Sequence, residues 1–163
     1  MCVLKQSGRK WEIMFFGSYA HSLDEKNRLV IPSKMRSEIG SRLYIMKGFD
    51  GAVSMYPEKA FEKLMNEFNT LPFNKKDARS YLRTQLATTS ELEIDKAGRV
   101  ILPSNLLDKY SISKSVMVIG MGDHIEVWDS KTYEAYEAEA DKNFEDIAEN
   151  LTKDNEQWQS TSQ

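Results

Sequence analysis

Asp24-Glu-Lys-Asn-Arg28 and Asp95-Lys-Ala-Gly-Arg99 each place a carboxylate four residues before a guanidinium, with a lysine (Lys26, Lys96) between them. Asn27 and Gly98 are the residue types that most easily adopt positive φ, so each stretch is expected to turn sharply just before its arginine. A carboxylate at that spacing can hold the guanidinium in place and leave the outer edge of its fork for phosphate or a guanine edge. Seen once, the pattern reads as a salt-bridged turn that fixes hairpin geometry. Seen twice at matched positions, it reads as two cationic loops displayed by symmetry.

Other chemistries find less support. His21 and His124 are isolated, with no second ligand at metal spacing. Gly120-Met-Gly122 lacks the helix-opening third glycine of a dinucleotide fingerprint and reads as a hairpin turn. No Gly-x-Ser-x-Gly elbow and no Cys/His pair offers a nucleophile. Glu91, Glu93 and Asp95 alternate along an expected strand and share one face, where solvation is a commoner cause than a bound cation. No cofactor, metal or enzymatic activity is expected.

At 163 residues the chain is one domain, or two small ones packed together, and 40% hydrophobic against 29% charged residues rules out wholesale disorder. The single cysteine, Cys2, excludes an internal disulfide framework and fits a reducing, cytoplasmic setting. No apolar run reaches the length of a membrane helix. Residues 134–163 hold nine acids against Lys142 and Lys153, a net of −7, so the remainder carries +4 of an overall −3. A mildly basic body with an acidic tail suits a binder of nucleic acid, although a neutral body with a solvated terminal helix would look the same.

The two loops belong to a longer repeat. Ser22–Ser33 recurs as Glu93–Ser104, and Val53, Met55, Tyr56, Lys59 and Phe61 align with Ile125, Val127, Trp128, Lys131 and Tyr133 after one inserted residue. Short strands are expected at 28–31 and 99–102, ended by Pro32 and Pro103, with helices at 33–39 and 104–109. Hairpins follow around Gly48–Gly51 and Gly120–Asp123. A helix opening at Pro57 carries Phe61, Leu64, Met65 and Phe68 on one face, and the connector turns helical from Asn74. A last helix, capped by Asp129, carries Tyr133, Tyr136, Ala140, Phe144, Ile147 and Leu151 as a stripe expected to pack on its own domain. The organisation is a leader (1–13), a first repeat (14–68), a connector (69–90), a second repeat (91–146) and an acidic polar tail (147–163). One repeat alone leaves too much apolar surface uncovered. The expected fold is therefore α+β, with two units packed about a pseudo-twofold in imitation of a symmetric dimer.

From Met14-Phe-Phe-Gly-Ser-Tyr-Ala-His-Ser-Leu-Asp24 to about Asp146, the chain resembles the MraZ family of bacterial transcriptional regulators. Asp95-x-x-Gly-Arg-Val-Ile-Leu-Pro103 is similar to the signature of the AbrB/SpoVT swapped-hairpin DNA-binding fold, of which that family carries two copies. The resemblance implies β-barrel units with flanking helices in a cytoplasmic, nucleoid-associated protein. It implies a ring-shaped homo-oligomer that binds repeated promoter elements in double-stranded DNA and regulates the division and cell-wall gene cluster encoding it. It also implies that Arg28 and Arg99 contact DNA, with Asp24 and Asp95 as supports and Lys26, Asn27 and Lys96 beside them. Two departures stand out: Asn27 replaces the glycine found at Gly98, and the family pattern does not require Met1–Ile13. The native start is expected at Met14, because Gly8–Glu12 can be encoded by a purine-rich run like a ribosome-binding site; an N-terminal arm reaching for DNA with Arg9, Lys10 and Trp11 is the competing reading. In function, the alternative to DNA binding is an assembly protein that binds another protein through its acidic terminal helix.

Overall fold

Each repeat lays down strand, turn, strand, helix and hairpin in the same order, and neither completes its sheets from its own strands. The computed structural model describes residues 14–160, with side chains for residues 14–153; the expected leader at 1–13 and the last residues of the tail lie outside the described residues. The first repeat supplies β1 (Ser18–Ser22), β2 (Arg28–Val30), α1 (Ser33–Ile39), β3 (Arg42–Lys47) and β4 (Val53–Pro57), followed by α2 (Glu58–Asn69) and α3 (Lys76–Thr88). The second supplies β5 (Ser90–Glu93), β6 (Arg99–Ile101), α4 (Ser104–Lys109), β7 (Ser115–Gly120) and β8 (Ile125–Asp129). The chain ends in α5 (Ser130–Lys142) and α6 (Phe144–Ser160).

The strands pair across the repeats. β1 lies against β7 and β5 against β3, so the opening strand of each repeat joins the hairpin of the other. β4 meets β8 at the centre of a six-stranded antiparallel sheet of order β1-β7-β8-β4-β3-β5. β2 and β6 form a separate two-stranded ribbon. The register fixes the pseudo-twofold, because the matched residues Ser54 and Glu126 face each other in one pairing, as Leu29 and Val100 do in the other. Ser41 and Lys114 also hold matching places, their carbonyls accepting from the Ile94 and Leu23 amides at 3.0 and 2.7 Å.

Among the described residues the strands do not close into a ring, so the expected barrel is not seen closed. β1 and β5 are the open ends of the six-stranded sheet, and β2 and β6 pair with each other instead of bridging those ends. Pro32 and Pro103, which lack an amide for a ladder bond, stop the ribbon strands. Their carbonyls accept from Met35 and Leu106 at 2.8 and 3.1 Å, so each proline precedes its helix as the N-terminal cap instead of occupying the first helical position.

Contacts divide the described chain after Ser130. Within the first unit the buried core joins Leu29, Ile31, Val100 and Leu102 beneath the ribbon to Ile45, Val53, Met55, Val118, Ile125 and Val127 from the sheet. The second unit holds the rest of α5 and α6, separated at Asn143, whose side-chain amide donates to the Glu139 carbonyl at 2.9 Å. The stripe expected to pack on its own domain is exposed at Phe144, Ile147 and Leu151, since two consecutive helices offer no sheet to cover it.

Leu29 and Val30 are neighbours on opposite faces of β2, the first fully buried and the second exposed. Leu29→Ala should destabilise the protein by about 2.7–5 kcal/mol, the range for emptying a buried leucine site. Val30→Ala should stay within about 0.5 kcal/mol of the parent. Urea unfolding at fixed protein concentration measures both, and equal losses would contradict the assignment of faces.

Candidate nucleic-acid interface

Side chains alternate along a strand, so the β2–β6 ribbon has two unlike faces. Leu29, Ile31, Val100 and Leu102 point into the core. Arg28, Val30, Arg99 and Ile101 share the other face, with Val30 and Ile101 exposed and both arginines half-buried. Arg28 pairs with Ile101 and Arg99 with Val30, which makes the two arginines diagonal neighbours about 7–8 Å apart at the backbone.

Each arginine is held by the turn that precedes it. Asp24 Oδ1 accepts the amides of Lys26 and Arg28 at 2.9 and 2.8 Å, and Oδ2 accepts Arg28 Nε at 2.5 Å. Asp95 repeats the arrangement with the amides of Ala97 and Arg99, both at 2.9 Å, and with Arg99 Nε at 2.8 Å. One carboxylate thus organises the turn with one oxygen and aims the guanidinium with the other. The aspartate engages only Nε, which leaves the terminal nitrogens of the fork free of it.

The tightness of the turns requires a left-handed residue before each arginine, and Asn27 and Gly98 supply it with φ of 57° and 76°. Both carbonyls then reach across the pseudo-twofold. Asn27 O accepts from the Leu102 amide and Gly98 O from the Ile31 amide, each at 2.9 Å, extending the ribbon ladder at both ends. Despite the change from glycine to asparagine between the repeats, both residues adopt the left-handed region and make matching backbone hydrogen bonds.

All seven residues singled out in the sequence (Asp24, Lys26, Asn27, Arg28, Asp95, Lys96 and Arg99) sit in these two turns, with Lys26 and Lys96 exposed at their tips. Four more residues join them. Val30 and Ile101 flank the arginines on the exposed face, which strand alternation could have found. Lys114, at the foot of β7, donates from Nζ to Asp24 O and Asn27 Oδ1, both at 2.9 Å. Arg36 of α1 donates from Nε to the Ile31 carbonyl at 2.8 Å and lies over Gly98. Arg36 could have been noticed as a mismatch between the repeats, since Leu107 takes its place in the second.

The other candidates are accounted for locally. Glu91 pairs with Arg42 at 3.1 Å across β5 and β3, and His124 Nδ1 lies 2.7 Å from Asp123 while its ring stacks on Tyr56. Among the described residues no three His, Cys, Asp or Glu side chains are grouped to hold a metal ion, and no helix is long and apolar enough to cross a membrane.

Comparison with known proteins follows the two-repeat organisation. The family described as "MraZ protein, putative antitoxin-like" matches residues 14–84 and again 86–155. The transcriptional regulator MraZ of Mesoplasma florum is 45% identical over 140 residues, covering 85% of this chain and 96% of that protein. The regulator of the same name from Leuconostoc citreum is 43% identical over 138 residues, and that from Syntrophomonas wolfei 39% over 138, each covering 85% of this chain and 96% of its own.

The hydrogen bonds from the arginine amides, joined by those from the arginine side chains and outweighing the effect of burial, hold Asp24 and Asp95 below the ordinary carboxylate value of 3.8. A depressed folded-state value means that the turns contribute fully above the unfolded value and lose that contribution as pH falls from it through the folded one. Both carboxyl carbons should therefore titrate by NMR with midpoints below 3.8. A midpoint at or above that value would mean that the aspartates do not organise the turns.

Proposed function

The chain belongs to the MraZ family of transcriptional regulators, which are not enzymes, and on that footing we propose that it binds double-stranded DNA by laying the β2–β6 ribbon in the major groove. The observation that carries this reading is the pair of aspartate-held arginines side by side on the exposed face of a two-stranded ribbon. The major groove admits an element of that width, and an arginine fork fits the O6 and N7 acceptors of guanine. Asp24 and Asp95 hold the forks in the presenting orientation, so little side-chain freedom remains to be lost on binding. Val30 and Ile101, level with the arginines, suit the methyl group of thymine. Lys26 and Lys96 at the turn tips are placed for phosphates on either side, with Asn27 shaping the first turn.

One ribbon makes few contacts, and the chain is only mildly basic outside its acidic end. A ring-shaped homo-oligomer presents many ribbons, and once one is seated the next binds intramolecularly, raising affinity without new chemistry. We read the chain as two strand-exchanged units of the AbrB/SpoVT kind, residues 14–68 and 91–146 joined by 69–90, that assemble in this way. The ring acts in the cytoplasm, on the nucleoid, at repeated promoter elements of the division and cell-wall gene cluster that encodes it. Footprinting upstream of its own gene across a salt series tests this directly, since phosphate neutralisation makes binding fall steeply with ionic strength.

A second reading draws on α6, where Phe144, Ile147 and Leu151 form an exposed stripe on an acidic helix. Such a stripe suits a protein partner, and binding through it would change little with salt.

Arg28→Ala and Arg99→Ala should each weaken binding to the footprinted element by about 1–3 kcal/mol, the range for a lost base contact. Their folds should remain, as judged by circular dichroism. Two alanine variants that bind like the parent in the same buffer would remove the arginines from the interface. In the ring reading, inserting half a helical turn of DNA between adjacent elements should reduce affinity sharply in a gel-shift titration, because successive ribbons must meet the same face. Indifference to the insertion would sink the multivalent mode.

A further inference from the structure

The two Asp–Arg turns share a backbone but not the same surroundings. A Cβ placed on Gly98 would lie 2.5 Å from Arg36 Nε, 2.6 Å from Cζ and 2.8 Å from Cδ. The glycine is therefore needed for space as well as for its φ of 76°, because the guanidinium of Arg36 rests in the place a side chain would fill. Arg36 comes from the first repeat and covers the turn of the second. The matching position on α4 is Leu107, which is buried, so nothing equivalent covers Asn27.

The first turn has a different helper. Lys114, from the second repeat, reaches Asp24 O and Asn27 Oδ1, which occupies two of its three protons. Its matching residue is Ser41, which cannot reach the second turn in the same way. Lys114 is by this geometry a positioning residue. Arg36 is not saturated. Its Nε proton goes to the Ile31 carbonyl, and among the described residues its Nη groups have no hydrogen-bond partner and no carboxylate within ion-pairing distance. Four N–H donors in a planar fork thus stand open over Gly98, in the turn that carries Lys96 and Arg99. An exposed guanidinium laid over a turn that carries two further cations, fixed at Nε and unpaired at Nη, is arranged to receive an anion with the geometry of phosphate.

We propose that Arg36 is a phosphate-binding residue of the DNA interface, acting at the second turn only. This rests on the DNA-binding reading above and adds an inequality to it. The Arg99 end of the ribbon grips the backbone with one more fixed cation than the Arg28 end, where the nearest helper is engaged within the protein.

A phosphate contact is independent of sequence, so a labelled duplex of arbitrary sequence serves as the probe, with affinity measured between about 50 and 200 mM salt. Arg36→Met keeps the packing stem and removes the charge. The slope of log affinity against log salt should become shallower by about 0.9 for every engaged protomer, so that over this range the parent loses about three- to four-fold more affinity than the variant for each protomer engaged. Arg36→Lys should retain the parent slope. If Arg36→Met does not fold, Arg36→Gln, which keeps a donor for the Ile31 carbonyl, takes its place in the same titration. A parent with a steep slope that the neutral variants share would make Arg36 merely structural and leave the DNA reading standing. A parent that shows no salt-dependent binding would overturn both.

Discussion

The sheets of the first unit depend on one constraint: apart from the β3–β4 and β7–β8 hairpins, every strand pairing joins one repeat to the other. The ribbon shows it most directly. The carbonyls of Asn27 and Gly98 accept amides from across the pseudo-twofold, so the turn that aims an arginine is also the turn that closes the ladder. Changing the turn therefore disturbs the ribbon, and changing the ribbon moves the arginine. Two left-handed residues and two aspartates fix both at once.

That coupling explains how weak local interactions produce a defined surface. An aspartate–arginine pair at the surface contributes little to stability by itself. Here its carboxylate also satisfies two turn amides, and the strand after it is anchored beneath by Leu29 or Val100. Burial of the lower face supplies the stability, and the polar turns supply the orientation. Because the buried and exposed residues alternate along the same three-residue strands, rigidity beneath is transmitted to the guanidiniums above.

Much of this was legible in the sequence where local chemistry decides it. Pro32 and Pro103 marked the ends of the ribbon strands, Asn27 and Gly98 marked the left-handed turns, and α1 and α4 fall at the residues their sequences implied. β1 was not legible, because Ser-Tyr-Ala-His-Ser carries no alternation of apolar and polar residues and draws its order from pairing with β7. The exchange of strands and the open sheet left no local mark, since the residues that pair lie dozens of positions apart in the chain. At the site, the aspartates, lysines and arginines were readable as a repeated motif. Arg36 and Lys114 lie outside that motif, because each serves the turn of the other repeat.

Strand exchange within one chain has a further consequence. Two separate copies of a single repeat, held together by the same exchange, would part on dilution, and their paired surface would vanish with them. Covalent linkage makes that association unimolecular, so the ribbon exists at any protein concentration. It also removes the symmetry that identical copies must obey. Arg36 where the second repeat has Leu107, and Lys114 where the first has Ser41, are differences that a true dimer of one sequence could not hold, and they give the molecule a direction.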